Sequence, residues 1–228
     1  MKRALIVDTE TTGLDPATSE IVEIGAVVYS IEHQSIVRCF SDIVHTDANP
    51  AEQINRIPAA LLVEQPDQVS PTNAAWHESL DEADVIVAHN ADFDRGFLAS
   101  EGWLDGYQDI PWLCTKYDFA WPRAGREGEH LIQLAVAHGI GVGMAHRAIT
   151  DCLLIAQLFD RMDDLPAMFA HAARPKGIFQ AVLSYDDRQL AKDAGFRWDP
   201  EAKRWTRRMA VADAEALPFR VVPIAEVA

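Results

Sequence analysis

Basic residues are scarce in this sequence of 228 residues, which has 20 Lys and Arg against 35 Asp and Glu and a formal net charge of −15. Such a balance argues against a protein that binds nucleic acid through one broad basic surface. It leaves room for an enzyme that holds a strand end through metal ions. Long apolar runs are absent too. The first run, Ala4–Val7, ends at Asp8 and is too short for a signal peptide or a membrane span.

Cysteine is also sparse, with three residues far apart in the chain and no C-x-x-C pair. This spacing gives no support to a zinc site or to a redox-active pair. An odd number of dispersed thiols is typical of a reducing compartment. We therefore expect a cytoplasmic protein without a membrane partner.

The charge is unevenly spread along the chain. Residues 1–171 hold 27 acidic and 10 basic residues, whereas residues 172–228 hold 8 and 10. The hydrophobic share of 49% is large enough for a buried core. Because Pro166 and Pro175 bracket the change in composition, we expect a linker there. The expected domains are residues 1–170 and 175–228.

Predicted strands and helices alternate over the first domain. The predicted strands are Ala4–Val7, Ile21–Tyr29, Ile36–Val44, Val85–Ala88 and Ile110–Thr115. The predicted helices are Phe93–Glu101, Leu131–His138 and Ala148–Met162. Residues 49–73 are rich in proline and predict short helices and turns. This order indicates an α/β fold that opens with an antiparallel meander. The second domain combines predicted strands with one helix, a small α+β unit.

Two acidic residues follow the first predicted strand. Asp8 and Glu10 are two positions apart, so their side chains project from the same face of an extended chain. Gly13 permits a sharp turn beside them. Neighbouring carboxylates repel each other unless a cation neutralises them, and hard oxygen ligands select Mg²⁺ or Mn²⁺. Taken alone, such a pair is most often a solvated strand end.

A further carboxylate follows the fourth predicted strand, in the segment His89–Asp94. Asp94 and its competitor Asp92 both lie there. Either can cap the helix that begins here by accepting free backbone N–H groups. For each residue taken alone, capping is the better explanation.

The long predicted helix opens with Asp151, and His146 lies in the loop that leads into it. An imidazole can take a proton from water near neutral pH. Together with the three carboxylates described above, these residues lie at the ends of elements and can converge on one side of a sheet. Such a group can bind two divalent ions that hold a phosphodiester, while His146 activates the attacking water.

The three segments resemble the motifs of the DnaQ-like, or DEDDh, family of 3′–5′ exonucleases, in the family's order. Residues 8–14 resemble its first motif, residues 89–94 its second and residues 146–151 its third. The resemblance extends over about residues 3 to 162. It is closest to exonuclease X and to the epsilon subunit of bacterial DNA polymerase III.

This resemblance implies an α/β, ribonuclease H-like fold, with a five-stranded mixed sheet flanked by helices. The implied ligands of two Mg²⁺ or Mn²⁺ ions are Asp8, Glu10, Asp94 and Asp151. Asp94 rather than Asp92 is the ligand in this register, and His146 is implied as the general base that helps to release nucleoside monophosphates. The implied substrate-binding residues are Thr9, Thr11, Leu14 and Asn90. Relatives often carry a histidine where this chain has Asn55, which affects the expected substrate preference more than activity.

The second domain interleaves cations with aromatic side chains. Bases stack on aromatic rings and cations bind phosphates, so this mixture suits a single-stranded nucleic acid. A small domain also needs large aromatic residues in its core. We assign Trp198 and Trp205 to that core. The candidate nucleic-acid contacts are Arg204, Arg207 and Arg208.

The expected function is a two-metal-ion exonuclease that acts on single-stranded 3′ ends, with DNA favoured over RNA, in repair, proofreading or degradation. One alternative is a 3′–5′ exoribonuclease, since the sequence has no clear reader of the 2′-hydroxyl. Others are a subunit associated with a polymerase or repair partner, and an inactive nucleic-acid-binding module. Loss of a motif carboxylate would favour the inactive module, and none is lost.

Overall fold

The computed structural model describes residues 1–65, 74–125 and 128–224. The chain divides into two units, Met1–Ala172 and Ala173–Ala228. Two prolines of the expected loop region, Pro66 and Pro71, lie outside the described residues. None of the helices in the described ranges has the length and apolarity that a membrane crossing requires.

The first unit is built on a five-stranded mixed sheet in the order β3-β2-β1-β4-β5. Its strands are β1 Arg3–Thr11, β2 Ile21–Ser30, β3 Ser35–Ile43, β4 Val85–Ala88 and β5 Trp112–Cys114. The first three strands pair antiparallel, as the expected meander does, and β4 and β5 run parallel to β1. This sheet confirms the fold predicted from the motifs.

Strand β1 runs beyond the apolar residues that predict it. Its pairing with β2 continues past Val7 to Thr11, with an irregularity after Glu10. Backbone hydrogen bonds do not require apolar side chains, so hydrophobicity alone ends the strand too early. As a consequence, Asp8 and Glu10 lie within a paired strand rather than in the loop beyond it.

Helices cover both faces of this sheet. They are α1 Glu52–Asn55, α2 Ala59–Val63, α3 Ala74–Glu82, α4 Ala91–Ser100, α5 Leu131–Ala137, α6 Ala148–Phe159 and α7 Leu165–Ala172. Because side chains alternate along β1, Ala4 and Ile6 pack with α5, α6 and α7, whereas Leu5 and Val7 pack with α3 and α4. The two buried cores fix the sheet between the helical layers.

The expected linker between Pro166 and Pro175 is mostly helix. Helix α7 begins at Leu165, and it buries Leu165, Phe169 and Ala172 in the core of the first unit. Proline is tolerated in the first turn of a helix, where its missing N–H has no intrahelical partner. Pro166 therefore belongs to a helix of the first unit and does not mark the start of a linker.

The second unit has a four-stranded sheet in the order β7-β8-β6-β9, and every described pair in it is antiparallel. Its elements are β6 Lys176–Ala181, α8 Arg188–Asp193, β7 Arg197–Asp199, β8 Arg204–Ala210, α9 Val211–Glu215 and β9 Val221–Ile224. Its core joins Phe179 and Met209 of the sheet to Ala191 of α8 and Ala214 of α9. The five residues of α9 are too few for a helical period to be recognised in the sequence.

Candidate metal centre

Three carboxylates meet beside the middle of the sheet. Asp8 and Glu10 project from the same face of β1, and Asp151 lies in the first turn of α6. One carboxylate oxygen from each of these residues lies within 4.8 Å of the other two. Asp8 and Asp151, which are 143 positions apart in sequence, thus belong to one acidic group.

Asp94 lies in the first turn of α4 and is buried. Its Oδ1 accepts hydrogen bonds from the backbone N–H and from the hydroxyl of Thr9, each at 2.9 Å. Asp94 therefore ties α4 to β1 between Asp8 and Glu10. Asp92 is exposed on the same helix, whereas Asp94 is buried and bonded to Thr9.

His146 is exposed immediately before α6 and has a left-handed backbone, with φ of 61°. This conformation is uncommon for a residue with a side chain, although histidine adopts it more often than most. The backbone N–H and the charge of His146 both lower the pKa of Asp151. The loop geometry therefore keeps His146 beside the carboxylate group.

The carboxylates hold protons more tightly than isolated acids do. Burial, reinforced by the charges of Asp94 and Asp151, raises the pKa of Asp8 well above its usual range. Burial raises the pKa of Glu10 to about 8, with a further rise from Asp151. Burial also raises the pKa of Asp94 to about 7, against the opposing hydrogen bonds from Thr9, and that of Asp151 to about 6. A cation between these groups would remove the penalty that raises their pKa values.

The chemistry of this group fits divalent ions. All the donors are carboxylate oxygens, which suit hard cations such as Mg²⁺ and Mn²⁺. The Oδ1 atom of Asp151 is buried without a hydrogen-bond partner, and buried polar atoms normally have one. A metal ion would provide this oxygen with a partner and would also offset the repulsion between Asp8 and Glu10.

An ion pair between a buried carboxylate and a partly exposed guanidinium holds the start of α6 against the sheet. Glu23 of β2 is fully buried and accepts bonds from Nε and Nη2 of Arg147 at 2.8 and 3.0 Å. It also accepts the backbone N–H of Ala148 at 3.1 Å and the hydroxyl of Ser41 at 2.8 Å. Four donors thus fix Glu23, and through Arg147 they fix the residues on either side of the α6 start.

The same helix approaches β2 very closely at Gly25. A Cβ atom on Gly25 would lie 2.4 Å from the carbonyl carbon of Ala148 and 2.5 Å from the nitrogen of Ile149. Only glycine permits such contact between a strand and a helix backbone. The thiol of Cys152 donates to the Gly25 carbonyl at 3.3 Å, which adds to the same contact.

Sequence reasoning missed Glu23, Gly25 and the role of Arg147. A signal for Glu23 was present, because it is the one charged residue in a strand, Ile21–Ser30, whose every residue is buried. A single charge in such a run needs a partner. Nothing in the sequence identifies Arg147 as that partner, since the two residues are 124 positions apart.

The four expected substrate-binding residues divide into two pairs. Thr9 and Thr11 are buried: both donors of Thr9 go to Asp94, and the Thr11 hydroxyl donates to the Gly13 carbonyl at 2.6 Å. Leu14 is 86% exposed, and Asn90 is exposed at the start of α4 with φ of 83° and no side-chain capping bond. The structure thus leaves Leu14 and Asn90 open to solvent.

Asn55, at the position where the resemblance leads us to expect a histidine, is buried next to the end of β1. Its amide donates to the Thr11 carbonyl at 3.4 Å, and its side-chain oxygen accepts from Asn49 at 2.9 Å and from the Ile57 N–H at 3.1 Å. Asn55 therefore fixes the loop beside β1 through hydrogen bonds within the protein.

The three candidate arginines of the second unit do not share one face. Side chains alternate along β8, and Arg207 lies on the side of Met209, where its Nη1 donates to the Ala194 carbonyl at 2.7 Å. Arg204 and Arg208 project from the opposite side. Arg207 thus links β8 to the end of α8.

The chain matches the exonuclease (RNase_T) family over residues 5–159 and a domain of unknown function, DUF8626, over residues 177–224. It is 34% identical over 177 residues to the DNA polymerase III subunit epsilon of Treponema pallidum, with 75% of this chain and 78% of that protein covered. It is 30% identical over 170 residues to the PolC-type DNA polymerase III of Thermotoga petrophila, with 71% of this chain and 12% of that protein covered.

Solved structures share the fold. Exonuclease X in complex with 5′ overhanging duplex DNA is 27% identical, with a TM-score of 0.51, and the match covers 75% of this chain and 99% of that chain. The nuclease domain of 3′hExo, a DEDDh family member bound to rAMP, is 18% identical with a TM-score of 0.58 and covers 71% of this chain and 91% of that chain. The second likeness shows the fold alone.

Proposed function

Because this chain belongs to the exonuclease family and is a metal-dependent exonuclease, we propose that it removes nucleoside monophosphates from the 3′ ends of DNA by a two-metal-ion mechanism. The observation that carries the proposal is the meeting of Asp8, Glu10 and Asp151 within 4.8 Å, with buried Asp94 tied to Thr9 beside them. Together these carboxylates supply the negative charge that divalent ions need.

The carboxylates would hold two Mg²⁺ or Mn²⁺ ions. Such ions would supply Lewis-acid chemistry there, which polarises a phosphoryl oxygen and makes a bound water more acidic. The chain itself supplies position: β1 carries two ligands, α4 carries Asp94 and α6 carries Asp151. The rigid sheet and the Glu23–Arg147 pair keep these elements in place without reorganisation during the reaction.

His146 would act as the general base. Its imidazole is exposed, and its backbone N–H bonds to Asp151, five positions further along the chain. A neutral ring nitrogen can take the proton of the attacking water.

Leu14 and Asn90 would contact the terminal nucleotide. Both are exposed, Leu14 in the loop after β1 and Asn90 at the start of α4. Leu14 offers an apolar surface for a base, and the Asn90 amide can donate to a phosphate oxygen. The first pair, Thr9 and Thr11, would support the site through Asp94 and the Gly13 turn.

DNA is the favoured substrate because named relatives act in DNA synthesis or bind DNA. They include a DNA polymerase III subunit and an exonuclease solved with duplex DNA. The first of these also suggests a polymerase as a partner. A cytoplasmic location suits the chain, since all three cysteines are free thiols.

The test is a side-by-side digestion of matched DNA and RNA strands, each labelled at the 5′ end. With Mg²⁺, we expect a ladder that shortens from the 3′ end of the DNA, and no products with EDTA. A 3′-terminal phosphorothioate should stop the ladder at its first step. Faster cleavage of RNA than of DNA would identify RNA as the preferred substrate. Internal cuts in the protected strand would contradict an exonuclease mechanism.

A further inference from the structure

The structure leaves Trp198 of the second unit on the surface, although the sequence assigns it to the core. Trp198 lies on β7, a three-residue edge strand, and 48% of its surface is exposed. Trp205, directly opposite on β8, packs against the core with its ring centroid 5.5 Å from that of Trp198 at an interplanar angle of 58°. Trp205 thus contacts Trp198 from the side of the core and leaves the Trp198 indole accessible.

One cation lies beside the pair of tryptophan rings. The Nζ of Lys192 on α8 lies 5.9 Å from the centre of the Trp205 ring. Arg197 precedes Trp198 on β7, and Arg204 precedes Trp205 on β8, so both arginines project from the opposite face of the hairpin. The hairpin patch is defined by Lys192, Trp198 and Trp205.

Another exposed aromatic residue of this unit shows what distinguishes Trp198. Tyr185 is 78% exposed, but the guanidinium of Arg188 lies 3.9 Å from its ring centre. That cation covers one face of the ring. The Trp198 ring instead makes a tilted contact with Trp205, a geometry that leaves a flat face for a third ring.

We propose that the hairpin patch is a binding site for single-stranded nucleic acid, with one base stacked on Trp198 and a neighbouring phosphate at Lys192. A polyanion fits here by charge, because residues 172–228 hold 10 basic and 8 acidic residues, against 10 and 27 in the rest of the chain. Every base has a π-face, so such a stack is tolerant of sequence. The choice of ligand class rests on the proposed nuclease function, but binding at the patch does not require cleavage.

The test measures binding of the full-length protein to a fluorescently labelled oligothymidylate in EDTA, where no cleavage occurs, by fluorescence anisotropy at low salt. Trp198→Thr, a residue suited to a strand, should weaken binding about 5- to 150-fold. Trp198→Phe keeps a stacking ring and should stay within about 3-fold of wild type. Tyr185→Ala is the matched aromatic control and should bind like wild type.

The charge is tested with two variants of equal net charge. Lys192→Gln should weaken binding and flatten its salt dependence. Arg161→Gln removes the same charge elsewhere and should change the affinity little. Equal affinity of Trp198→Thr and wild type, or an equal loss in Tyr185→Ala, would overturn the proposal. The melting temperature shows whether each variant folds. If Trp198→Thr does not fold, Trp198→Phe provides the test, because the loss of the indole at the patch should reduce the tryptophan quenching that the oligonucleotide causes.

Binding and cleavage can fail separately. If wild-type protein binds the strand through Trp198 but never shortens it with Mg²⁺, the proposed function fails and this site stands. If the protein shortens the strand and Trp198→Thr binds as tightly as wild type, the site fails and the proposed function stands.

Discussion

The carboxylate of Glu23 holds the guanidinium of Arg147 through two hydrogen bonds, at 2.8 and 3.0 Å, where β2 meets the start of α6. Arg147 lies between His146 and the helix that carries Asp151. This ion pair therefore positions two of the residues assigned to the reaction, although neither of its members belongs to the carboxylate group.

Arg147→Lys keeps the charge but loses the two-point contact. We expect the Mg²⁺ concentration for half-maximal activity to rise and kcat to fall by about 10-fold or more, because outer partners of metal ligands typically contribute about 10- to 100-fold. Ser41→Ala removes only the hydroxyl bond to Glu23 and serves as the control. A loss of thermal stability in Arg147→Lys with unchanged Mg²⁺ dependence would assign the pair a structural role alone.

Thr9→Val removes the hydroxyl that donates to Asp94 while it preserves the shape of the side chain and the backbone N–H. We expect about 10-fold weaker apparent Mg²⁺ affinity, with Thr9→Ser close to wild type. Thr11→Val is the neighbouring control, because its hydroxyl donates to Gly13 instead. Titration of activity with Mg²⁺ measures the effect, and equal behaviour of Thr9→Val and Thr11→Val would contradict the role given to Asp94.

Gly25→Ala should displace the start of α6. Its new methyl group would lie 2.4 Å from the Ala148 backbone, which cannot move without the helix. Overpacking of this kind costs about 1–3 kcal/mol in the free energy of unfolding. Gly141→Ala meets no atom within 4 Å and should leave stability and activity near wild type. The two variants are compared by denaturant unfolding and by the rate of strand shortening.

The metal-free protein should lose stability as the pH rises. Each carboxyl has a folded-state pKa above its unfolded value: about 8 against 4.5 for Glu10, and about 7 and 6 against 3.8 for Asp94 and Asp151. Folding therefore favours the protonated forms, and their contribution is complete below about pH 4 and is lost as the pH rises through these folded values.

We expect the melting temperature in EDTA to fall between about pH 5 and pH 8, and added Mg²⁺ to raise it most at the upper end. Asp8→Asn removes one repelling charge and should flatten the curve. A melting temperature that is constant across this range, or one that Mg²⁺ raises equally at pH 5 and pH 8, would contradict the electrostatic account of the site.

The meeting of the acidic residues beside β1 could be predicted from the sequence, because each member follows from a local rule. Alternation along a strand brings Asp8 and Glu10 to one side, and Asp151 falls in the first turn of a long amphipathic helix. The resemblance to DnaQ-like exonucleases, confirmed by the family match, selects Asp94 over Asp92. The structure gives the reason, since Asp94 turns inward to Thr9 while Asp92 remains exposed.

Other features depend on contacts that the sequence does not reveal. Composition near Pro166 indicates a linker, but this segment forms helix α7, because its apolar side chains pack in the core of the first unit. Trp198 and Trp205 are equally hydrophobic, but β7 pairs with β8 at the edge of the sheet. Trp198 therefore remains exposed, whereas Trp205 packs against the core. Glu23 and Arg147 meet only after the chain has folded.

The central claim is that four carboxylates hold the divalent ions that cut a strand from its 3′ end. The most direct measurement compares wild type with Asp94→Asn and Asp92→Asn in Mg²⁺, on a single DNA strand labelled at the 5′ end. We predict progressive shortening by wild type and by Asp92→Asn, and none by Asp94→Asn, which should remain folded and bind the strand. Undiminished shortening by Asp94→Asn would contradict the account.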